Sequence, residues 1–193
     1  MKTAVILLAA GSSSRLGRPK QLLDFQGKKL IQKAIEEAQK SKADSMVVVL
    51  GWNPELIKTG FDAVQIPWVV NSNWEEGMAS SMQTGLSFLI EKEKPEQVIL
   101  MLVDQPFVDS KLLDRLIEEK ENSRKGIVTC SYSETLGVPA IFEQTYFEEM
   151  LSLKGSEGAK KVILKNSEDV FSLDFPLGAV DLDTEEDLKN LEL

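Results

Sequence analysis

Short apolar runs alternate along this chain with stretches whose apolar residues recur every three or four positions. Ala4–Leu8 reads as the first strand, and Leu30, Ile31, Ala34, Ile35 and Ala38 fall on one face of a helix. Met46–Leu50 is a β-rich run that Gly51 ends, and Val64–Val70, interrupted by Pro67, reads as a short strand. A helix follows from Ala79 to about Glu91 with Met82, Leu86, Leu89 and Ile90 on one side. Val98–Val103 is continuously apolar, as in a strand buried on both faces. Leu112, Leu113, Leu116 and Ile117 mark another helix, with Asp109 or Ser110 as its cap. Gly126–Cys130 and Val138–Phe142 read as strands, Thr145–Leu153 and Glu157–Leu164 as helices. Val170–Leu182 holds extended pieces broken by Pro176 and Gly178, and a final helix is expected near Thr184. Strands that alternate with helices predict an α/β protein with a mainly parallel sheet, which binds ligands beyond the C-terminal ends of its strands. No linker, repeat or low-complexity tract interrupts the pattern, so one domain is expected over residues 1–193.

Composition narrows the chemistry. The net charge is −9, which argues against nonspecific binding to nucleic acid or an anionic membrane. An acidic protein that handles anions needs a local cluster of cations or a metal ion. The chain has no histidine, which excludes Ser-His-Asp catalysis, imidazole acid–base chemistry and His-based zinc sites. Cys130 is the only cysteine, so there is no internal disulfide. With no signal-peptide pattern and no membrane-length apolar stretch, a cytoplasmic protein is expected.

Candidate chemistry gathers where strands end. The first strand runs into Ala9-Ala10-Gly11-Ser12-Ser13-Ser14 and then into Arg15, Arg18 and Lys20. Small residues leave backbone N–H groups uncovered, and three nearby cations suit a polyphosphate. The spacing is neither a Walker loop nor a dinucleotide Gly-x-Gly-x-x-Gly, because Gly11 and Gly17 lie six apart. Asp104, in Asp104-Gln105-Pro106, ends the most apolar strand, where a carboxylate can hold a hard cation or start a turn. In Asp181-Leu182-Asp183, alternation puts the two carboxylates on one side; Asp183 with Glu186 also resembles a capping box. Asn71–Ser81 opens a helix with glycine and small polar residues, a candidate anion or base-edge site in which Trp74 and Met78 also suit a core. Gly155-Ser156-Glu157-Gly158 reads as a turn and a helix start.

In this order the motifs resemble those of the MobA-like NTP-transferase family, in particular its molybdenum cofactor cytidylyltransferase branch. The matching stretches are Leu8–Leu23, Asn71–Leu86, Asp104–Pro106, Gly137–Phe142 and Asp181–Leu188. The resemblance implies a Rossmann-like nucleotidyltransferase fold, three-layered α/β/α with a mainly parallel mixed sheet. Its N-terminal half would bind the nucleotide and its C-terminal half the acceptor. Leu8, Ala9, Ala10, Gly11, Arg15 and Lys20, with Asn71, Gly77 and Ser80, would hold the nucleotide. Arg15, Lys20 and Asp104 would be catalytic, and Asp104 and Asp183 would bind Mg²⁺. Ala9-Ala10-Gly11 is similar to the cytidine-using branch, and a methyl at Ala10 narrows a base pocket toward a pyrimidine. Two positions depart from the cofactor branch: Val138 stands where that branch has histidine, and Ser156 where it has aspartate.

The implied reaction is attack by an acceptor phosphate oxygen on the α-phosphorus of CTP, with pyrophosphate leaving. A phosphate monoester is already ionised at neutral pH, so the absence of histidine is no obstacle; positioning and charge stabilisation carry such a reaction. The substrates would be CTP and a molybdopterin-type cofactor, with a molybdenum hydroxylase as recipient and no nucleic-acid or membrane partner. Three other readings stay open: a sugar phosphate or other phosphorylated alcohol as acceptor, a non-catalytic protein that delivers finished cofactor, and a nicotinamide-dependent oxidoreductase.

Overall fold

The computed structural model describes residues 1–14, 16–180 and 182. Its first strand, β1 (Thr3–Ala9), is buried at every position, which is why its sequence is continuously apolar rather than alternating. A short hairpin, β2 (Asp24–Phe25) and β3 (Lys28–Lys29), leads into α1 (Leu30–Lys40), β4 (Ser45–Leu50), α2 (Pro54–Lys58) and β5 (Trp68–Val70). The chain continues through α3 (Met78–Lys92), β6 (Gln97–Leu102), α4 (Ser110–Ser123), β7 (Ile127–Tyr132) and β8 (Thr135–Glu143). Then come α5 (Phe147–Leu151), α6 (Ala159–Lys165) and β9 (Val170–Asp174).

Seven strands form one sheet in the order β5-β4-β1-β6-β8-β7-β9. β8 alone runs against its neighbours. It returns from β7 through a two-residue turn in which Ser133 and Glu134 both have positive φ, 46° and 58°, a twist that suits a tight hairpin. β1 pairs in parallel with β4 on one side and β6 on the other. The chain moves outward from β1 to β4 and β5, and α3 then carries it back across to β6. Strand order therefore reverses beside β1, and the loops after β1 and β6 diverge there to leave a crevice.

Side chains of β1 alternate between two cores. Val5 and Leu7 join the apolar faces of α1 and α4, while Ala4, Ile6 and Leu8 join α3, α5 and α6. This makes the three-layer arrangement. α3 can press onto β1 and β4 because Gly85 has no side chain: an added Cβ would lie 2.7 Å from Ile6 Cγ2 and 2.8 Å from Val49 Cγ2. Ile6 is fully buried at this contact. Ile6→Ala is expected to destabilise the protein by about 2–5 kcal/mol, read from denaturant unfolding, through lost transfer energy and a residual cavity.

The observed elements follow the periodicity closely; besides the short β2–β3 hairpin, which the pattern did not foretell, they differ as follows. The expected strand over Val64–Val70 is confined to Trp68–Val70: Pro67 offers a carbonyl, which accepts from Val48 N at 3.1 Å, but no N–H for the ladder. The helix expected over Thr145–Leu153 is a 3-10 turn, Gln144–Tyr146, followed by α5. α2 escaped notice because five residues are too few to display a period; Asn53, at φ 41°, starts it and accepts from Leu56 N at 3.4 Å. At α4, Asp109 rather than Ser110 is the cap, accepting from Leu112 N at 2.8 Å. Arg15, Asp181, Asp183 and the helix expected near Thr184 lie outside the described residues. Among the described residues no helix is long and apolar enough to cross a membrane.

Candidate functional site

A cleft of about 330 Å³ opens beyond the C-terminal ends of β1 and β6. The register explains the placement: Leu8 lies opposite Leu102, so the chain leaves both strands at one height and brings Gly11 and Asp104 to the same edge. Of the residues singled out from sequence, Leu8, Ala9, Ala10, Gly11, Lys20, Gly77 and Asp104 line this cleft. The first loop bends so that the N–H groups of Ala10, Gly11 and Ser12 donate to no acceptor among the described residues. The Ala10 carbonyl is occupied, accepting from Trp52 N at 3.0 Å. A Cβ on Gly11 would meet nothing within 4 Å, so protein packing is not what requires glycine there; the space belongs to the cleft.

Asn71 and Ser80 stand behind the wall rather than in it. Asn71 is buried, and its side-chain amide donates to Ser80 Oγ at 2.8 Å and Ser81 Oγ at 3.0 Å. Its carbonyl oxygen accepts from Asn73 N at 3.0 Å. The Ser80 hydroxyl lies 2.9 Å from the Gly77 carbonyl and 3.0 Å from that of Asn73, to one of which it donates. These bonds hold the Asn71–Gly77 loop against the start of α3. Trp74 and Met78 line the cleft instead of filling the core, and Ser12, Gln21 and Ser81 also border it. Sequence reasoning did not place Gln21 there. Its one signal was a polar side chain set between Lys20 and the apolar pair Leu22-Leu23.

Gly77 joins the two halves of the molecule. It adopts φ 114°, and an added Cβ would lie 2.6 Å from the Gly155 carbonyl carbon and 2.9 Å from Ser156 N. The Gly155 carbonyl in turn accepts from Ala79 N at 3.2 Å, so the Gly155–Gly158 turn is docked on the first turn of α3. Gly77→Ala is expected to cost about 1–3 kcal/mol of stability, from an unfavourable φ and the displaced turn, measurable by thermal or denaturant unfolding. A second link runs through Gln105, whose amide donates to the carbonyls of Val138 at 3.0 Å and Gly178 at 3.2 Å. The variant position Val138 is thereby tied to the Asp104-Gln105-Pro106 turn.

Electrostatics concentrate on one pair. Lys20 Nζ and Asp104 Oδ2 form an ion pair across the cleft, with side chains only 17% and 14% exposed. Lys20 is held from behind, its backbone N donating to Ser13 Oγ at 3.0 Å. The other carboxylate oxygen, Asp104 Oδ1, is buried and has no hydrogen-bond partner among the described residues. A buried anionic acceptor without a donor fits a cation. Among the described residues no group of three or more Cys, Asp or Glu side chains could hold a metal ion. Leu182 N donates to the Asp104 carbonyl at 3.3 Å, which brings the chain at position 182 alongside Asp104. Cys130 takes no part: burial pushes its thiol up to about 12, leaving no thiolate at neutral pH.

A mainly parallel α/β sheet, a crevice at the strand-order reversal, loop N–H groups with no acceptor among the described residues and a Lys–Asp pair together define a protein of the nucleotide-handling α/β class. The chain belongs to the MobA-like NTP transferase domain family, whose model matches residues 5–170. Nicotine blue oxidoreductase of Paenarthrobacter nicotinovorans is 33% identical over 129 residues, covering 66% of this chain and 61% of that protein. Among solved structures, Rv0371c of Mycobacterium tuberculosis superposes with a TM-score of 0.85 at 28% identity, over 100% of this chain and 98% of that one. The manganese complex of Rv0371c aligns at a TM-score of 0.78 and 25% identity, over 99% and 98% of the two chains.

Proposed function

We propose that the chain is a nucleotidyltransferase that moves CMP from CTP to the phosphate of a molybdopterin-type cofactor, releasing pyrophosphate. The observation that carries this reading is the meeting in one cleft of Lys20 and Asp104 with loop N–H groups and a carboxylate oxygen that have no partner among the described residues. Family membership supports transfer from a nucleoside triphosphate, and the Ala9-Ala10-Gly11 loop supports cytidine. The N–H groups of the first loop and Lys20, with Arg15, would hold the triphosphate. Trp74 offers a flat apolar surface beside the loop for the base.

Asp104 Oδ1 would hold a divalent cation, in this reading Mg²⁺, with Asp183 as second carboxylate. The manganese bound by Rv0371c supports use of a divalent ion. Such a cation supplies positive charge against the crowded phosphate oxygens. The protein's own work is positional. Lys20 leaves Asp104 for the departing β- and γ-phosphates, and the loop fixes the α-phosphorus for in-line attack by the acceptor phosphate oxygen. The new P–O bond forms as the bond to the bridging oxygen breaks, and that electron pair leaves with pyrophosphate.

The acceptor would enter over the Gly155–Gly158 turn and the Val138 region, so that the C-terminal half of a single domain grips it. The decisive experiment offers CTP, GTP, ATP and UTP with molybdopterin cofactor, or with a panel of sugar phosphates and phosphorylated alcohols, and measures pyrophosphate release. CTP with the cofactor should react fastest. The name of the Paenarthrobacter relative favours a second reading, an oxidoreductase. An absorbance change dependent on NADH or NADPH, without pyrophosphate release, would select it over transfer.

A further inference from the structure

We propose that Gln21 is a positioning residue for the nucleotide, acting through the first loop rather than by touching the reacting atoms. Its side chain is fully buried. Its amide nitrogen donates to the Ala9 carbonyl at 2.9 Å and the Gly11 carbonyl at 2.8 Å, which uses both of its N–H bonds. Its carbonyl oxygen lies 3.5 Å from Ser13 Oγ. In a trans peptide the C=O and the following N–H point in opposite directions. Fixing the Ala9 and Gly11 carbonyls on Gln21 therefore turns the N–H groups of Ala10 and Ser12 away from it. Both are among the loop donors that find no acceptor among the described residues. The Ala10 carbonyl, held by Trp52 N on the other side, sets the Gly11 N–H in the opposed sense. Gln21 thus holds the two outer peptide planes and Trp52 N the one between them, which leaves the Ala10 and Ser12 N–H groups as the pair presented to an anion. Without Gln21 the Gly11–Ser12 peptide loses the bond that fixes its carbonyl, and the Ala9–Ala10 peptide keeps only its place at the end of β1.

The inference rests on reading the cleft as a nucleoside triphosphate site, and its test separates the two. CTP binding is titrated calorimetrically in the presence of Mg²⁺ for wild type and Gln21→Met, a change that keeps length and apolar bulk but removes both donors. Thermal unfolding identifies a temperature at which each protein is fully folded. The expected result is at least tenfold weaker CTP binding by the folded variant. In pyrophosphate release, KM for CTP should rise correspondingly while kcat at saturation changes less than threefold. A merely structural role would lower Tm and leave the Kd and KM of folded protein alone; that outcome overturns the assignment of Gln21. If wild type binds none of the four nucleoside triphosphates, the reading of the cleft fails and this inference falls with it. Should Gln21→Met not fold, Gln21→Asn replaces it, since that amide is one methylene too short to reach both carbonyls. Unchanged CTP affinity in the folded Asn variant would likewise overturn the proposal.

Discussion

Asp104→Ala is expected to lower the rate of pyrophosphate release at saturating substrate by at least about 100-fold, with the far-UV circular dichroism spectrum unchanged. Asp104 lies just past the end of β6, where its carboxylate is shielded by the walls of the cleft without contributing to either core. One oxygen meets Lys20; the other is buried with no donor among the described residues. Carrying a negative charge in that state has a cost, which a bound cation would offset. Removing the carboxylate should therefore disturb the reaction far more than the fold. Asp104→Asn keeps the shape and loses the charge, and it should be nearly as inactive. Near-normal turnover in both variants would remove Asp104 from the metal-binding role.

Lys20→Ala should act on two affinities in opposite directions. CTP binding should weaken by about 10- to 100-fold, the loss expected for a shielded charge-assisted contact to phosphate. Mn²⁺ binding without nucleotide, followed by electron paramagnetic resonance, should become tighter, because Asp104 no longer has an internal counter-charge competing with the ion. In wild type the two ligands should assist one another, since triphosphate draws Lys20 off Asp104 and a cation on Asp104 releases Lys20. Unchanged CTP affinity in the variant would exclude Lys20 from the phosphate site. Weaker Mn²⁺ binding would mean that Lys20 supports the carboxylate rather than blocking it.

Much of this was readable one residue at a time. The continuous burial of β1 and β6 is written in Ala4–Leu8 and Val98–Val103, and the inner faces of α1 and α4 follow from their spacing. The first loop was legible as a candidate anion site because small residues and cations follow directly on a strand. Other features left no local trace. α2 is too short to show a period, and Pro67 gave the position of a strand boundary without saying on which side the strand would lie. Asn71 and Ser80 have the chemistry of ligand-binding residues, but tertiary packing directs their bonds to the loop itself. Gln21 has the composition of an ordinary surface amide; only the folded loop turns it inward to two carbonyls.

The division has a physical origin. Local periodicity and turn chemistry act over a few residues, and they settled that this chain would be an α/β protein whose strand ends carry small, cationic and acidic residues. Which strands become neighbours depends on contacts between residues far apart in the chain, and on cores that several elements must fill together. The tertiary structure set β6 beside β1, reversed β8 and docked the Gly155 turn on α3. It thereby brought Lys20 onto Asp104, 84 residues away, and made one cleft of loops that the sequence offered separately.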